Sequence, residues 1–254
     1  MSPMPRHSGK RVLVTGGASG IGAAIAKRFL DDGAAVAVFD RATIPASLSA
    51  CLPLNGDASL ETDIDAAMSE TLTQLGGLDI MVCNAGVISV GQLIDMELTE
   101  WERVMRINID SVFLGARAAA RVMRQQGSGG VILNAASGAG RRGVPGVGHY
   151  CASKAAVINL TQTLALELAK HRIRVNCYVP GHIDTPFWQD IAAGFAKTTG
   201  RSPDDIVDEF RATVPWGRFG RVDEVAATAS WLASDDAEYI TGQAIAMNGG
   251  EFVS

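Results

Sequence analysis

A tyrosine, a lysine and a serine stand at spacings that could support proton transfer. Tyr150 is followed four residues later by Lys154, and Ser137 stands thirteen residues before the tyrosine. Residues i and i+4 lie on one face of a helix, so the phenol and the ammonium would face the same site. A free phenol has a pKa of about 10, and a nearby cation lowers that pKa toward the range of a useful base. A tyrosine packed on a lysine stem would show the same spacing, so the triplet alone leaves both interpretations open.

The elements around this triplet alternate between short apolar strands and amphipathic helices. Apolar and β-branched runs predict strands at 11–15, 34–39, 50–54, 78–83, 130–134, 173–178 and 243–247. Helical patterns lie at 22–32, 60–75, 99–125, 149–170 and 222–234. Strands this uniformly apolar are typical of a parallel sheet that is covered on both faces. The alternation predicts an α/β fold, a single Rossmann-type doubly wound domain with a seven-stranded parallel sheet and helices on both faces.

The domain boundaries follow from composition. Residues 1–9 are polar and contain proline, which predicts a flexible N-terminal tail, and residues 10–254 are expected to form the single domain. The stretch 181–221 departs from the strand–helix rhythm directly after a predicted strand. A long insertion at the carboxyl end of a strand is usually a lid or a substrate loop. We therefore predict a substrate lid at about residues 182–214.

Bulk composition excludes several classes of function. The chain has 254 residues, 47% of them hydrophobic, and a net charge of −5 without a basic stripe, so no nucleic-acid partner is expected. No apolar run approaches the roughly 18 residues that span a bilayer, and the start lacks the apolar core of a signal peptide, so no membrane partner is expected. The four cysteines form no C-x-x-C pair, which favours reduced thiols and a cytoplasmic location. No cluster has metal-ligand spacing, and we expect no metal.

A glycine-rich turn follows the first predicted strand and opens the first predicted helix. It reads TGGASGIG at 15–22, and it combines backbone flexibility with a helix N-terminus that attracts phosphate. Asp40 ends the second predicted strand, where a carboxylate can hold the two ribose hydroxyls of a dinucleotide. A 2′-phosphate would meet like charge there, so NAD is favoured over NADP. Arg41 argues mildly for NADP, because arginine can pair with a phosphate.

With these motifs in place, the chain resembles the short-chain dehydrogenase/reductase (SDR) family over essentially its whole length after the tail. The matching motifs, in order, are TGGASGIG at 15–22, Asp57, CNAG at 83–86, Asn108, Ser137, YCASK at 150–154, PGHIDT at 180–185 and GRFGR at 217–221. Two positions depart from the family's usual pattern, since Cys83 stands where asparagine is common and Asn248 stands where aspartate is common. Neither departure touches the proposed proton chemistry.

The resemblance implies a catalytic set and a nicotinamide cofactor. The catalytic residues would be Asn108, Ser137, Tyr150 and Lys154, with Tyr150 as acid/base, Lys154 as its activating cation and Ser137 as a donor to the substrate oxygen. Asn108 would position a water through its backbone carbonyl, or would interrupt the local helix hydrogen bonds. Asn84 would contact the cofactor or only stabilise the sheet. The residues implied in cofactor binding are Gly16, Ser19, Gly20, Ile21, Gly22, Asp40, Arg41, Asp57, Ala58, Asn84, Ala85, Gly86, Tyr150, Lys154, Pro180, Gly181, Ile183 and Thr185.

The substrate is a narrower expectation. The segment 136–162 and the chain end at 251–254 are similar to bacterial NAD-dependent polyol dehydrogenases of the sorbitol and galactitol type. Substrate contacts are expected from Ser137, Ala139, His182 and Trp188, although lid residues could also only shape the lid and meet solvent. The favoured function is the NAD-dependent interconversion of a secondary alcohol and a ketone, with a polyol as the expected alcohol. The alternatives are a reductase of 3-oxoacyl thioesters or of ketones in general, and a non-catalytic nucleotide-binding protein.

The resemblance also implies a homotetramer built on paired long helices. The alanine-rich faces of those helices, including Ala116 and the alanines at 118–120, would suit close packing between subunits. The same faces could pack within one subunit, so the sequence leaves dimer and tetramer open.

Overall fold

The chain folds around one parallel sheet, seen here in a computed structural model that describes residues 5–253. Its seven strands lie in the order β3-β2-β1-β4-β5-β6-β7, and every neighbouring pair in the described residues is parallel. The strands are β1 Arg11–Thr15, β2 Ala35–Asp40, β3 Leu52–Asn55, β4 Ile80–Cys83, β5 Gly130–Ala135, β6 Ile173–Pro180 and β7 Ala244–Met247. The predicted fold class is confirmed, and the predicted strand ends agree to within two residues.

The helices cover both faces of this sheet. They are α1 Gly20–Asp31, α2 Glu61–Leu75, α3 Leu98–Met105, α4 Ser111–Gln126, α5 Gly148–Leu168, α6 Phe187–Thr199, α7 Pro203–Ala212 and α8 Val222–Ala233. Within residues 5–253, none of them combines the length and the apolar character needed to cross a bilayer. The helical stretch predicted over 99–125 is present without a break over 98–126, but it contains a π-helical turn at Arg106–Asp110 between α3 and α4 that the sequence pattern did not predict. Such turns insert a residue into the helix and often occur at functional sites.

Alternation along the strands divides the core into two layers. Val12 and Val14 of β1 pack into the layer that contains α1 and α8, whereas Leu13 packs into the layer that contains α2, α4 and α5. Successive side chains of a strand point to opposite faces, so a strand that is apolar at every position must be covered on both. Ala116 and the alanines at 118–120 are buried in the second layer and therefore pack within the subunit.

The N-terminal segment joins the domain earlier than its composition suggested. Of the predicted tail over residues 1–9, residues 1–4 lie outside the described part of the chain. His7 is only 1% exposed, its Nε2 lies 3.0 Å from the Ser230 carbonyl oxygen, and its ring packs against Phe29. The boundary between tail and domain therefore lies before His7, because a buried histidine with a partner is part of the packed structure.

The segment predicted as a lid contains two helices, α6 and α7. They follow β6, whose carboxyl end lies at the same edge of the sheet as the ends of β1, β4 and β5. Trp188 and Phe210, one from each helix, lie with their ring centroids 5.1 Å apart. The helices are thus held together by aromatic contacts above the edge at which ligands bind in sheets of this type.

Candidate active site

One cavity of about 600 Å³ opens at the carboxyl edge of the sheet. It brings together every predicted cofactor and substrate residue, which come from the ends of several strands and from the lid. These residues are Gly16, Ser19, Gly20, Ile21, Gly22, Asp40, Arg41, Asp57, Ala58, Asn84, Ala85, Gly86, Ser137, Ala139, Tyr150, Lys154, Pro180, Gly181, His182, Ile183, Thr185 and Trp188. Asn108 does not line the cavity. Within residues 5–253 there is no group of three or more His, Cys, Asp or Glu side chains that could hold a metal ion.

The glycine-rich turn places the N-terminus of α1 against this cavity. Gly16 adopts a φ of 64°, and a Cβ there would come within 2.7 Å of the Ala85 backbone. Ser19 precedes the helix, but its side chain caps none of the helix amides in the described chain. The first amides of α1 therefore remain available to an anion, and the helix dipole favours negative charge at that end. This turn fits the pyrophosphate of a dinucleotide.

Gly22 is expected to tolerate no side chain. A Cβ there would collide with the Gly16 carbonyl oxygen of the turn and with the Asn84 side chain, which follows β4 and packs against the turn. We expect Gly22→Ala to lower the thermal unfolding midpoint by about 5 °C, because overpacking of this kind costs about 1–3 kcal/mol. The matched control is Gly143→Ala, since no atom lies within 4 Å of a Cβ at Gly143. Equal midpoints for the two variants, measured by circular dichroism, would contradict the close packing of the turn.

Asp40 and Arg41 stand at the end of β2, beside the turn. The Asp40 carboxylate accepts hydrogen bonds from the Ala18 and Ala42 backbone N–H groups, each at 2.9 Å. Arg41 lies 3.7 Å from the Asp57 carboxylate across the cavity rim. Partial burial raises the pKa of Asp57, but hydrogen bonds from Ser59 and the charge of Arg41 outweigh it, so the pKa lies below its ordinary value. Arg41 therefore already has an anionic partner.

Asn84 ties three strand ends together. Its Nδ2 donates to the Gly16 carbonyl oxygen at 2.9 Å, its Oδ1 accepts from the Tyr178 hydroxyl at 2.8 Å, and its backbone N–H donates to Thr15 Oγ1 at 3.0 Å. The sequence left open whether Asn84 stabilises the sheet or contacts the cofactor. Because these bonds already use both ends of the side-chain amide, the structure favours the stabilising role, although the residue also borders the cavity.

Ser137, Tyr150 and Lys154 meet at the other end of the cavity. Ser137 follows β5, whereas Tyr150 and Lys154 lie on successive turns of α5. The Ser137 hydroxyl lies close enough to that of Tyr150 to lower the pKa of the phenol as a hydrogen-bonding partner. Lys154 is buried, donates from Nζ to the Ala135 carbonyl oxygen at 2.8 Å, and lies 5.7 Å from the centroid of the Tyr150 ring. The three side chains are therefore arranged for proton transfer to or from one bound oxygen atom.

Burial dominates the electrostatics of this group. It raises the pKa of Tyr150 to about 12, and the hydrogen bond with Ser137 lowers that pKa only in part. Burial also lowers the pKa of Lys154 to about 8. Removing both groups from water disfavours both of their charged forms, so in the protein chain alone burial outweighs the effects that lower the tyrosine pKa, and the activation of Tyr150 by Lys154 stays a prediction. For Tyr150 to ionise near neutral pH, charge on a bound ligand would have to offset this effect of burial.

Asn108 is buried behind the wall of the cavity. It lies in the π-helical turn and is fully buried, with Oδ1 accepting from the Val87 N–H at 2.7 Å and Nδ2 donating to the Val87 carbonyl oxygen at 2.9 Å. Nδ2 also donates to Ser153 Oγ at 3.0 Å. The side chain thus joins the loop after β4 to α5, one residue before Lys154. A role of its backbone carbonyl in holding water stays a prediction.

The lid end of the cavity contains two groups that sequence reasoning missed. Glu251 and Arg142 both border the cavity and form an ion pair, and Glu251 also lies 3.2 Å from His182. His182 itself packs edge-on against Trp188, with ring centroids 4.8 Å apart. Arg142 and Glu251 are 109 residues apart in the chain, so no spacing pattern could have connected them.

Comparisons with known proteins agree with this geometry. A family model described as enoyl-(acyl carrier protein) reductase matches residues 16–251. A sorbitol dehydrogenase from Cereibacter sphaeroides is 37% identical, over 98% of this chain and 100% of that protein. A galactitol 2-dehydrogenase from Agrobacterium fabrum is 38% identical, with the same coverage of 98% and 100%. The crystal structure of a short-chain type dehydrogenase/reductase from Mycobacterium marinum superimposes with a TM-score of 0.89, at 37% identity, over 99% of this chain and 98% of that one.

The family match, the near-complete coverage of these relatives and the shared fold lead to one assignment. The cavity, with its glycine turn at one end and its serine, tyrosine and lysine at the other, is the arrangement that the sequence resemblance implied. The chain belongs to the short-chain dehydrogenase/reductase family, whose members are oxidoreductases that use nicotinamide cofactors.

Proposed function

We propose that the protein is an NAD-dependent dehydrogenase that interconverts a secondary alcohol and a ketone, with a small polyol as its substrate. The observation that carries this proposal is the convergence of Ser137, Tyr150 and Lys154 at one end of a cavity whose other end holds the glycine turn and Asp40. A dinucleotide that bound along the cavity would place its reactive ring at the end that holds the tyrosine.

Tyr150, Ser137 and Lys154 would each have a separate role in the reaction. In alcohol oxidation Tyr150 takes the proton of the substrate hydroxyl, and in ketone reduction it returns that proton. Ser137 donates a hydrogen bond to the same substrate oxygen and stabilises negative charge that develops on it. Lys154 places a cation beside the tyrosine and within reach of the cofactor ribose. The nicotinamide, when bound, accepts or supplies the hydride, while the protein orients the reactants.

The choice of NAD rests on the charge at the end of β2. Asp40 is held by two backbone N–H groups, so its carboxylate has a defined place beside the turn. A carboxylate in that place accepts hydrogen bonds from ribose hydroxyls and repels a 2′-phosphate. Arg41, the cation that would attract a 2′-phosphate, lies within 3.7 Å of Asp57 and is partly neutralised by it. Both contacts support NAD over NADP.

A polyol substrate is supported by the polar groups at the lid end of the cavity. His182, Arg142, Glu251, Asp190 and Thr213 all border the space beyond Tyr150. A site that can pair several hydroxyls selects strongly for substrates that carry them, because unpaired buried polar groups are costly. The relatives described as sorbitol dehydrogenase and galactitol 2-dehydrogenase act on substrates of this class by their names.

One observation favours a second candidate, a reductase of bulky or acyl-type ketones. Phe187, Phe195 and Phe210 border the same space and give it an aromatic wall. Such a wall would suit an apolar substrate, although the C–H face of a polyol can also pack on aromatic rings.

The two candidates are separated by a substrate panel. Purified protein is mixed with NAD and sorbitol, galactitol, 2,3-butanediol or simple secondary alcohols, each repeated with NADP, and the absorbance of the reduced cofactor is followed. We expect turnover of at least one polyol or diol with NAD. Failure across the alcohols, together with reduction of acyl thioesters or bulky ketones by NADPH, would replace the proposed function by the second candidate.

We further propose a homotetramer as the working assembly. Apolar side chains on the two long helices support it, because Phe113 of α4 is 43% exposed and Leu166 of α5 is 83% exposed. Burying such side chains against another subunit would be favourable.

A further inference from the structure

A carboxylate from the C-terminal segment reaches the cavity beside His182. Glu251 lies four residues after β7, keeps only 4% of its side chain exposed and borders the cavity. Its Oε1 contacts the Arg142 guanidinium and lies 3.2 Å from Nε2 of His182. Its Oε2 is enclosed without a hydrogen-bond partner among the described residues. Burial of a carboxylate costs free energy, so its retention here suggests a task beyond packing.

The position of Glu251 depends on its neighbours. A Cβ at Gly181 would come within 2.7 Å of Oε2, so the glycine leaves the space that the carboxylate occupies. Arg142 supplies a positive charge on the other side and also lies over the Phe252 ring at 5.4 Å. Arg142 therefore offsets the negative charge of the buried carboxylate.

His182 is held so that one ring nitrogen stays open. Its ring packs against Trp188, Phe210 and Phe219, with centroid distances of 4.8, 5.3 and 5.5 Å. Nε2 lies 3.2 Å from Glu251 Oε1, whereas Nδ1 has no hydrogen-bond partner within residues 5–253, and the side chain is 15% exposed and borders the cavity. A carboxylate beside Nε2 favours the tautomer with its proton on Nε2, which leaves Nδ1 as an acceptor.

We propose that Glu251 is a positioning residue that fixes the tautomer and orientation of His182, so that His182 Nδ1 accepts a hydrogen bond from a substrate hydroxyl other than the one oxidised. The inference rests on the proposed function, since it requires a substrate with a second hydroxyl. The pair then determines specificity, because a substrate without that hydroxyl fills the cavity but leaves His182 Nδ1 without a hydrogen-bond donor.

The test compares two substrates that differ by one hydroxyl, 2,3-butanediol and 2-butanol. The quantity measured is the ratio of their kcat/KM values with NAD in excess. Glu251→Gln keeps the volume of the side chain but removes the charge that selects the tautomer. We expect it to lower the ratio about tenfold, the effect of about one hydrogen bond, mainly through the KM of the diol.

Three further variants show whether Glu251 acts through His182. His182→Phe should lower the ratio as well, and adding Glu251→Gln to it should cause no further loss, because the residue that is positioned has gone. Glu251→Asp should also lower the ratio, since it draws the carboxylate back while keeping its charge. The control is Glu209→Gln, which removes an exposed lid carboxylate paired with Arg201 and should leave the ratio unchanged.

The outcomes separate this inference from the proposed function. If the wild-type protein prefers the diol and Glu251→Gln and Glu251→Asp keep that preference, the positioning role alone is wrong. An equal loss from Glu251→Gln with and without His182 would also overturn it. If the wild-type protein shows no preference for any diol or polyol, the polyol function is wrong and the inference falls with it. Thermal unfolding of each variant identifies a loss that comes only from misfolding.

Discussion

Tyr150→Phe should reduce alcohol oxidation by about a thousandfold, because general acid–base catalysis contributes roughly 10²–10⁴ in rate. The change removes one hydroxyl and keeps the ring, which lies 6.4 Å from the Phe187 ring. Neither the glycine turn nor Asp40 is altered, so the affinity for NAD should stay close to that of the wild-type protein. The measurements are the steady-state rate with the best alcohol and the dissociation constant of NAD by calorimetry.

The matched control is Tyr239→Phe, which removes a hydroxyl from a fully exposed tyrosine outside the cavity. It should keep both the wild-type rate and the wild-type affinity. If Tyr150→Phe kept a substantial part of the wild-type rate, the tyrosine could not be the acid/base. If the variant lost NAD affinity and rate together, its effect would be on binding.

The same tyrosine should set opposite pH dependences for the two directions of reaction. Burial raises the pKa of Tyr150 to about 12, so the ionised fraction grows with each pH unit below that value. Oxidation needs the ionised tyrosine and should accelerate with each pH unit between about pH 6 and pH 10, whereas reduction needs the protonated form and should slow down only as the pH approaches the pKa of about 12. A flat profile for the wild-type protein, with a substrate isotope effect showing that chemistry limits the rate, would contradict the assignment.

Asp40→Ala should lower kcat/KM for NAD by about a hundredfold and relax the discrimination against NADP, because a buried or oriented hydrogen bond to a charged group is worth about 1.5–3 kcal/mol. Two effects act together. The ribose hydroxyls lose their acceptor, and the turn loses the bonds that Ala18 and Ala42 donate to the carboxylate. The measurement is the ratio of kcat/KM values for NAD and NADP with one alcohol.

Arg41 provides the control for the charge argument. Arg41→Ala alone should leave NAD kinetics nearly unchanged, because its exposed side chain pairs with Asp57. In the double variant with Asp40→Ala, the relative gain for NADP should be smaller than in Asp40→Ala alone, since the cation that could bind the 2′-phosphate is gone. An unchanged cofactor ratio in Asp40→Ala would show that this carboxylate does not select the cofactor.

Local patterns in the sequence predicted most of the architecture. Runs of apolar residues such as 11–15 and 173–178 mark buried strands, and a glycine turn between strand and helix marks a phosphate site, because both depend on neighbouring residues. The spacing of Tyr150 and Lys154 predicted a shared helix face for the same reason, and both residues lie in α5. The structure contains these features because the helix period and the strand period determine which neighbouring side chains share a face.

The π-helical turn between α3 and α4 and the N-terminal boundary of the domain depend on contacts between segments that are distant in the chain. The pattern over 99–125 is helical throughout, yet Asn108 turns its amide to Val87 and Ser153, and the chain forms a π-helical turn at that point. His7 belongs to a polar stretch, yet it is buried against Phe29 and Ser230. The partners of Asn108 and of His7 are far from them in the chain, so the periodicity of the sequence could not predict these contacts.

The sequence by itself determined the fold class, the glycine-rich turn between β1 and α1, and the spacing of the serine, tyrosine and lysine, because each is encoded by residue type and short-range spacing. Only the tertiary structure decided how burial shifts the pKa values of Tyr150 and Lys154, and which ion pair brings Glu251 to Arg142 and His182. The physical reason is that desolvation and Coulomb energies depend on distances in space. Those distances join segments up to 109 residues apart, and they exist only once the sheet and the lid have packed.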